Sequence, residues 1–164
     1  MSAHVNQGDL LRLTELIRDI RIGLLTTLNH EGAFHTRPVE TLRVDADGTL
    51  WFFTDWSSPK VAELEEDFRV SLGYADPAKK IYVAISGTGQ LRRDLEQAKR
   101  LWSIDQRAYY PQGPEDSRLA VLRIQLQRAE YWIAPGRLSY LVAAAEATLT
   151  GKPVGIVGDN RKVR

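Results

Sequence analysis

The sequence predicts a mainly β domain: about six antiparallel strands curled into a closed or partly open barrel, with short α-helices on its flanks. Three observations lead there. Most apolar, β-branched and aromatic runs are short and strand-like. Consecutive runs are joined by turns of one chemistry, Asn29-His30-Glu31-Gly32 and Asp45-Ala46-Asp47-Gly48, each closing on glycine. Such turns make an antiparallel meander and not a crossover unit. Closure into a barrel then removes the exposed edges that an open sheet would keep.

Taken in order, residues 1–8 form a loose arm. Asp9 can cap a helix over 9–20, whose Leu10, Leu13, Leu16, Ile17 and Ile20 make one core-facing stripe. Strands follow at 22–28, 33–44 and 49–54, with Pro38 marking an edge or bulge in the second. A helix over 58–67 places Val61, Leu64 and Phe68 at helical spacing and carries Glu63, Glu65, Glu66 and Asp67 on its outer face. Residues 69–74 and 81–91 are the fourth and fifth strands. Gly87 and Gly89 in the fifth point to a bulge or a close approach by another group. Asp94 can cap a helix to about residue 103, and 104–110 can add a short helical turn before Pro111-Gln112-Gly113-Pro114. A sixth strand at 119–127 and a further short one at 129–133 complete the barrel. Residues 138–149 fit either helix or strand. The domain spans 1–149, and the tail, 150–164, has no apolar period and is expected to be mobile.

Composition narrows the function. The chain has 164 residues, no cysteine and a net charge of +1. That excludes disulfide, thiolate and zinc-finger chemistry. It also argues against a general electrostatic grip on nucleic acid. No apolar run is long enough to span a bilayer, and the N-terminus does not read as a secretory signal, so a cytoplasmic protein is expected. The three histidines, His4, His30 and His35, make no metal-ligand spacing. Nucleophile-elbow, phosphate-loop and dinucleotide fingerprints are absent.

The most informative stretch is Trp51–Lys60, WFFTDWSSPK. It reads as a buried strand, a hydroxyl-rich turn, and a helix start with proline in the first turn and one cation. Free backbone N–H groups, the Ser57 and Ser58 hydroxyls and the Lys60 ammonium could converge on a phosphate. The same residues also make an ordinary capped helix. Arg37 on the second strand is by itself a solvated or salt-bridged residue. If it shares a face with Lys60, the two make a divalent anion site, a planar fork beside a point charge. Trp132, beside a chain break, is the aromatic best placed to face a ligand or a partner subunit.

Together, Leu24-Leu25-Thr26-Thr27, Thr36-Arg37-Pro38-Val39, Leu50 through Asp55, Ser57-Ser58-Pro59-Lys60-Val61, Tyr74-Ala75-Asp76-Pro77, Val83 through Thr88 and Ala129-Glu130-Tyr131-Trp132 resemble the pyridoxamine-phosphate-oxidase-like superfamily of FMN-binding split barrels. The similarity is to its general stress protein 26 branch. The resemblance implies a split-barrel homodimer with FMN at the subunit interface. It implies that Arg37 and Lys60, helped by Ser57 and Ser58, hold the FMN phosphate. Pro38, Val39 and Glu40 would run along the flavin with main-chain contacts. Phe53 and Thr54 would line the ring and ribityl side, and Trp132 would come from the second subunit.

Departures from the true oxidase are equally informative. Its substrate-binding lysine, five residues after the phosphate-binding arginine, is here Leu42. Its C-terminal Arg-Leu-His-Asp-Arg run is here Arg137-Leu138-Ser139-Tyr140-Leu141, without the histidine and final arginine. The resemblance therefore implies FMN binding without pyridoxamine-phosphate oxidation. An FMN-dependent oxidoreductase acting on a small molecule is expected. The alternatives are a non-catalytic flavin-binding stress protein or sensor, or a split barrel holding F420 or haem.

Overall fold

The computed structural model describes residues 7–152 and 158–163. Helix α1, Gln7–Ile20, buries Leu10, Leu13, Leu16 and Ile17 against the sheet, the stripe that the leucine spacing predicts. It starts two residues earlier than expected, so Asp9 lies in its first turn and not at its cap. It ends at Arg21, which has a left-handed φ of 62° and donates its N–H to the Ile17 carbonyl.

Eight strands form one antiparallel sheet: β1 (Ile22–Leu28), β2 (Phe34–Glu40), β3 (Arg43–Val44), β4 (Thr49–Asp55), β5 (Arg69–Asp76), β6 (Ile81–Arg92), β7 (Leu119–Ile133) and β8 (Asp159–Val163). Their order is β2-β1-β5-β6-β7-β4-β3, with β8 added to β7. The expected strand at 33–44 is two strands. Thr41 donates its N–H to Arg21, the residue just before β1, while Leu42 donates to Trp51 on β4. Within two peptides the chain leaves one edge of the sheet and joins the other. That transfer curls the sheet into a split barrel, with α2 (Pro59–Glu66), α3 (Leu95–Leu101) and α4 (Arg137–Thr150) on its flanks.

Alternation along β4 divides the interior. Leu50 and Phe52 face the barrel core with Leu25, Leu72, Leu122 and Ile124. Trp51 and Phe53 face outward and pack with a second cluster of Leu101, Tyr110, Leu119 and Val121. Phe53 meets Tyr110 edge-on, with centroids 6.1 Å apart.

The strands expected at 119–127 and 129–133 are one strand, β7. Its pairing with β6 shifts register between Ser86 and Gly87, the former opposite Arg128 and the latter opposite Leu126. A Cβ on Gly87 would lie 2.3 Å from the Gln125 carbonyl oxygen. The glycine thus marks both a bulge and a close approach, as its place in the strand suggests.

One open reading and one correction concern the C-terminal region. Residues 137–150 are helical; the alanine run favours helix, and Gly151 closes it in the left-handed conformation with φ 65°. The stretch expected to be a mobile tail contains β8, which pairs with β7 and buries Val163 against the core. Asp159-Asn160-Arg161-Lys162-Val163 has a single apolar residue, so hydrophobic periodicity has nothing to catch. Residues 153–157 and 164 of that tail, and 1–6 of the arm, lie outside the described residues.

Candidate functional site

The turn between β4 and α2 is built from its own side chains. Asp55 accepts from the Ser57 N–H at 2.8 Å and the Ser57 hydroxyl at 2.6 Å, and these bonds hold its carboxyl below the usual range. Ser58 sits at the N-cap of α2 in extended conformation but makes no side-chain cap bond. Its hydroxyl accepts instead from the Lys60 ammonium at 2.8 Å, and Thr54 accepts from the same nitrogen at 2.6 Å. The backbone is less available than the sequence suggests. The N–H groups of Ser57, Ser58 and Val61 are already bonded within the turn, and Pro59 has none.

Lys60 is half-buried between neutral hydroxyls, and it has no ion pair among the described residues. Burial lowers its pKa, the Arg37 guanidinium lowers it further, and Glu63 and Asp55 pull the other way. The guanidinium of β2 and the ammonium of α2 therefore share one neighbourhood, as an anion site requires.

Arg37 is not idle there. It donates to Thr27 on β1 at 2.5 Å and to the Glu63 carboxylate on α2 at 2.5 Å. Thr27 also donates to Glu63, and His35 Nδ1 lies 2.7 Å from the other carboxylate oxygen. Burial would raise the Glu63 pKa, but the bonds from Thr27, His35 and Arg37 outweigh it and hold the value at about 2. The expectation that Glu63 belongs to a solvated acidic face is thus wrong. It lies three residues after Lys60, on the same face of a helix, and that spacing is the signal that could have found it.

Beyond Lys60 opens a cavity of about 400 Å³. Pro38, Val39, Glu40, Phe53, Thr54 and Lys60 line it, all of them among the residues singled out from the sequence. Arg37 and Ser58 do not line it, although Ser58 accepts from Lys60. Ser57 turns to Asp55. Trp132 is elsewhere, on β7 between Tyr82 and Asn160, with 36% of its surface exposed, and it does not line this cavity. The sequence reading missed Gln106, Tyr109 and Tyr110, which come from a 3₁₀ turn at Ile104–Ala108 and the residues after it. Gln106 donates to Glu40 at 3.1 Å, and burial pushes the Tyr110 hydroxyl up to about 12. Leu42 supplies an apolar wall.

No cluster of three His, Asp or Glu among the described residues could hold a metal ion. No helix among them is long and apolar enough to cross a membrane.

The chain is thus an antiparallel split barrel whose cationic corner opens on an apolar and aromatic slot. Residues 9–154 match the family model described as Pyridoxamine 5'-phosphate oxidase like, and the chain belongs to that family. Protein bli-3 of Neurospora crassa is 23% identical over 155 residues, covering 88% of this chain and 74% of that protein. The fold is shared with a Clostridium acetobutylicum protein related to general stress protein 26 of B. subtilis, with TM-score 0.70, 22% identity, and 79% of this chain and 91% of that one covered. It is also shared with the general stress FMN/FAD binding protein of Xanthomonas citri, with TM-score 0.69, 24% identity, and 80% and 92% covered.

Proposed function

We propose that this chain is a general stress protein 26-type flavoprotein that binds FMN non-covalently. One observation carries the reading. The Lys60 ammonium is held by two neutral hydroxyls, without a carboxylate ion pair, at the inner end of an apolar slot. A cation withdrawn from water without a counter-charge is costly. A phosphate repays that cost, and the slot behind it suits a ring system. The residues fit the cofactor. Lys60, Ser58 and Thr54 would hold the phosphate, with Arg37 adding charge from β2. Pro38, Val39, Glu40 and Phe53 would line the ring and ribityl side. Bound flavin would supply redox chemistry, and the chain would position it and tune its surroundings. Family membership and the name of the Xanthomonas citri neighbour support the same reading.

Leu42 in the cavity wall favours a substrate other than pyridoxamine phosphate, because it offers no charge where the oxidase presents a lysine. The activity we propose is a cytoplasmic FMN-dependent oxidoreductase acting on another small molecule. The flavin would lie between two copies of the chain, with Trp132 reaching the partner's site. The exposed Ile22, Leu24 and Phe34 on β1 and β2, the last 81% exposed, are consistent with a covered face.

The test is to purify the protein and identify any bound chromophore by absorbance and by mass after denaturation. FMN supports the reading; F420, haem or no chromophore after reconstitution refutes it. Anaerobic mixing with NADH or NADPH then separates an oxidoreductase, whose flavin bleaches, from a non-catalytic binder. Light scattering should give twice the chain mass.

A further inference from the structure

A second cavity, of about 480 Å³, adjoins the first and shares Leu42 with it. Three guanidiniums line it with the Asp105 carboxylate, from Arg18 on α1, Arg21 after α1, and Arg43 on β3; Arg21 and Arg43 are each paired with a carboxylate outside the lining, Glu40 and Asp45. Arg43 holds Asp45 through Nε at 2.7 Å. Arg18 has no hydrogen bond or ion pair among the described residues. Its place in the last turn of α1 suits the helix dipole, but that alone does not gather three arginines around one hollow.

Arg21 is the telling residue. It holds the position after α1 where the chain turns left-handed, with φ 62°. Glycine is the usual occupant of such a position, and a side chain there is strained. Strain of this kind is kept where the side chain has a task. One guanidinium nitrogen of Arg21 bonds to Glu40 at 2.5 Å, and Glu40 lines the first cavity. Arg21 therefore spans the wall between the two hollows. Ser103 adds a hydroxyl at the rim that makes no cap bond.

We propose that the second cavity is an anion site that binds the phosphate-bearing end of the small molecule reacting in the first. Guanidiniums suit phosphate through paired N–H donors, and several around one cavity select a multiply charged group over a single carboxylate. The ligand's other end passes over Leu42 toward Phe53. That second half rests on the flavin reading; anion binding by Arg18, Arg21 and Arg43 does not.

The experiment is calorimetric titration of the purified protein with inorganic pyrophosphate, and with malonate as the carboxylate arm. Saturable pyrophosphate binding is expected, with malonate weaker. Arg18→Gln should weaken it about tenfold. Arg21→Gly should do the same while leaving the melting temperature unchanged or higher, since it relieves the left-handed strain. Absence of saturable binding, wild-type affinity in both arginine variants, or tighter malonate binding would overturn the proposal. Bound flavin is read separately by absorbance. A protein without flavin that still binds pyrophosphate through Arg18 and Arg21 would refute only the flavin reading.

Discussion

Arg37 and Glu63 are joined across the barrel mouth, guanidinium to carboxylate at 2.5 Å, from β2 to α2. Thr27 and His35 complete the cage around the carboxylate. Glu63 thereby does two things. It fixes the Arg37 fork, and it removes one unit of charge from the corner, leaving Lys60 as the cation there without an ion pair among the described residues.

This cage should make stability fall in acid. The Glu63 carboxyl drops from its ordinary 4.5 to about 2 on folding, which contributes about 3 kcal/mol at neutral pH. A depressed carboxyl keeps that contribution above pH 4.5 and loses it as pH falls toward 2. Urea unfolding of the wild type and Glu63→Gln should therefore differ by about 3 kcal/mol at pH 7 and converge only as the pH approaches about 2. A gap that stays constant with pH would show that the cage is not ionic.

Lys60 should behave in the opposite manner. Its ammonium is destabilised by burial and by Arg37. Flavin-free Lys60→Met should unfold within about 1 kcal/mol of wild type, although two hydrogen bonds are lost. FMN affinity, measured by fluorescence quenching, should fall by about 1.5–3 kcal/mol. A large loss of stability with unchanged affinity would make the ammonium structural.

Gly87→Ala should be among the most damaging small substitutions. Its methyl group would sit 2.3 Å from a backbone oxygen that the β6–β7 ladder holds in place. A loss of about 2–4 kcal/mol in urea unfolding is expected. At Gly89 the nearest atoms are side-chain methyls of Leu64 and Val70, at 3.0 and 3.2 Å, and alanine there should cost less.

Val163 tests the C-terminal strand. It is buried against the core and pairs with Ala129. Val163→Asp should lower stability by about 3 kcal/mol or more, because it buries an unpaired carboxylate. A variant with unchanged melting temperature would mean that β8 adds nothing to the barrel.

Much of the barrel was legible in the sequence because its signals are local. The turns ending in Gly32 and Gly48, the leucine stripe of α1 and the Asp94 cap, which accepts from Gln97 at 2.9 Å, need only neighbouring residues to be read. The split between β2 and β3 was not legible. Nothing in Thr41-Leu42 reveals that successive N–H groups will meet different strands. The site divides the same way. Pro38, Val39, Phe53, Thr54 and Lys60 lie on elements that could be placed one by one. Glu63 escaped because a glutamate beside other acids reads as solvated until the partner strand is known. Tyr109 and Tyr110 escaped because irregular chain folds them onto the cavity.

The Thr41–Leu42 transfer also dictates when the cavity comes into being. Apart from the two-residue β3, the sheet neighbour of β4 is β7, which begins at Leu119. A nascent chain emerging from the ribosome presents Lys60 early, yet Phe53 has no wall to stand in until the last third of the polypeptide has been made. Any ligand of that slot must therefore wait for β7, and a prematurely terminated chain would carry the cation beside an unfinished cavity.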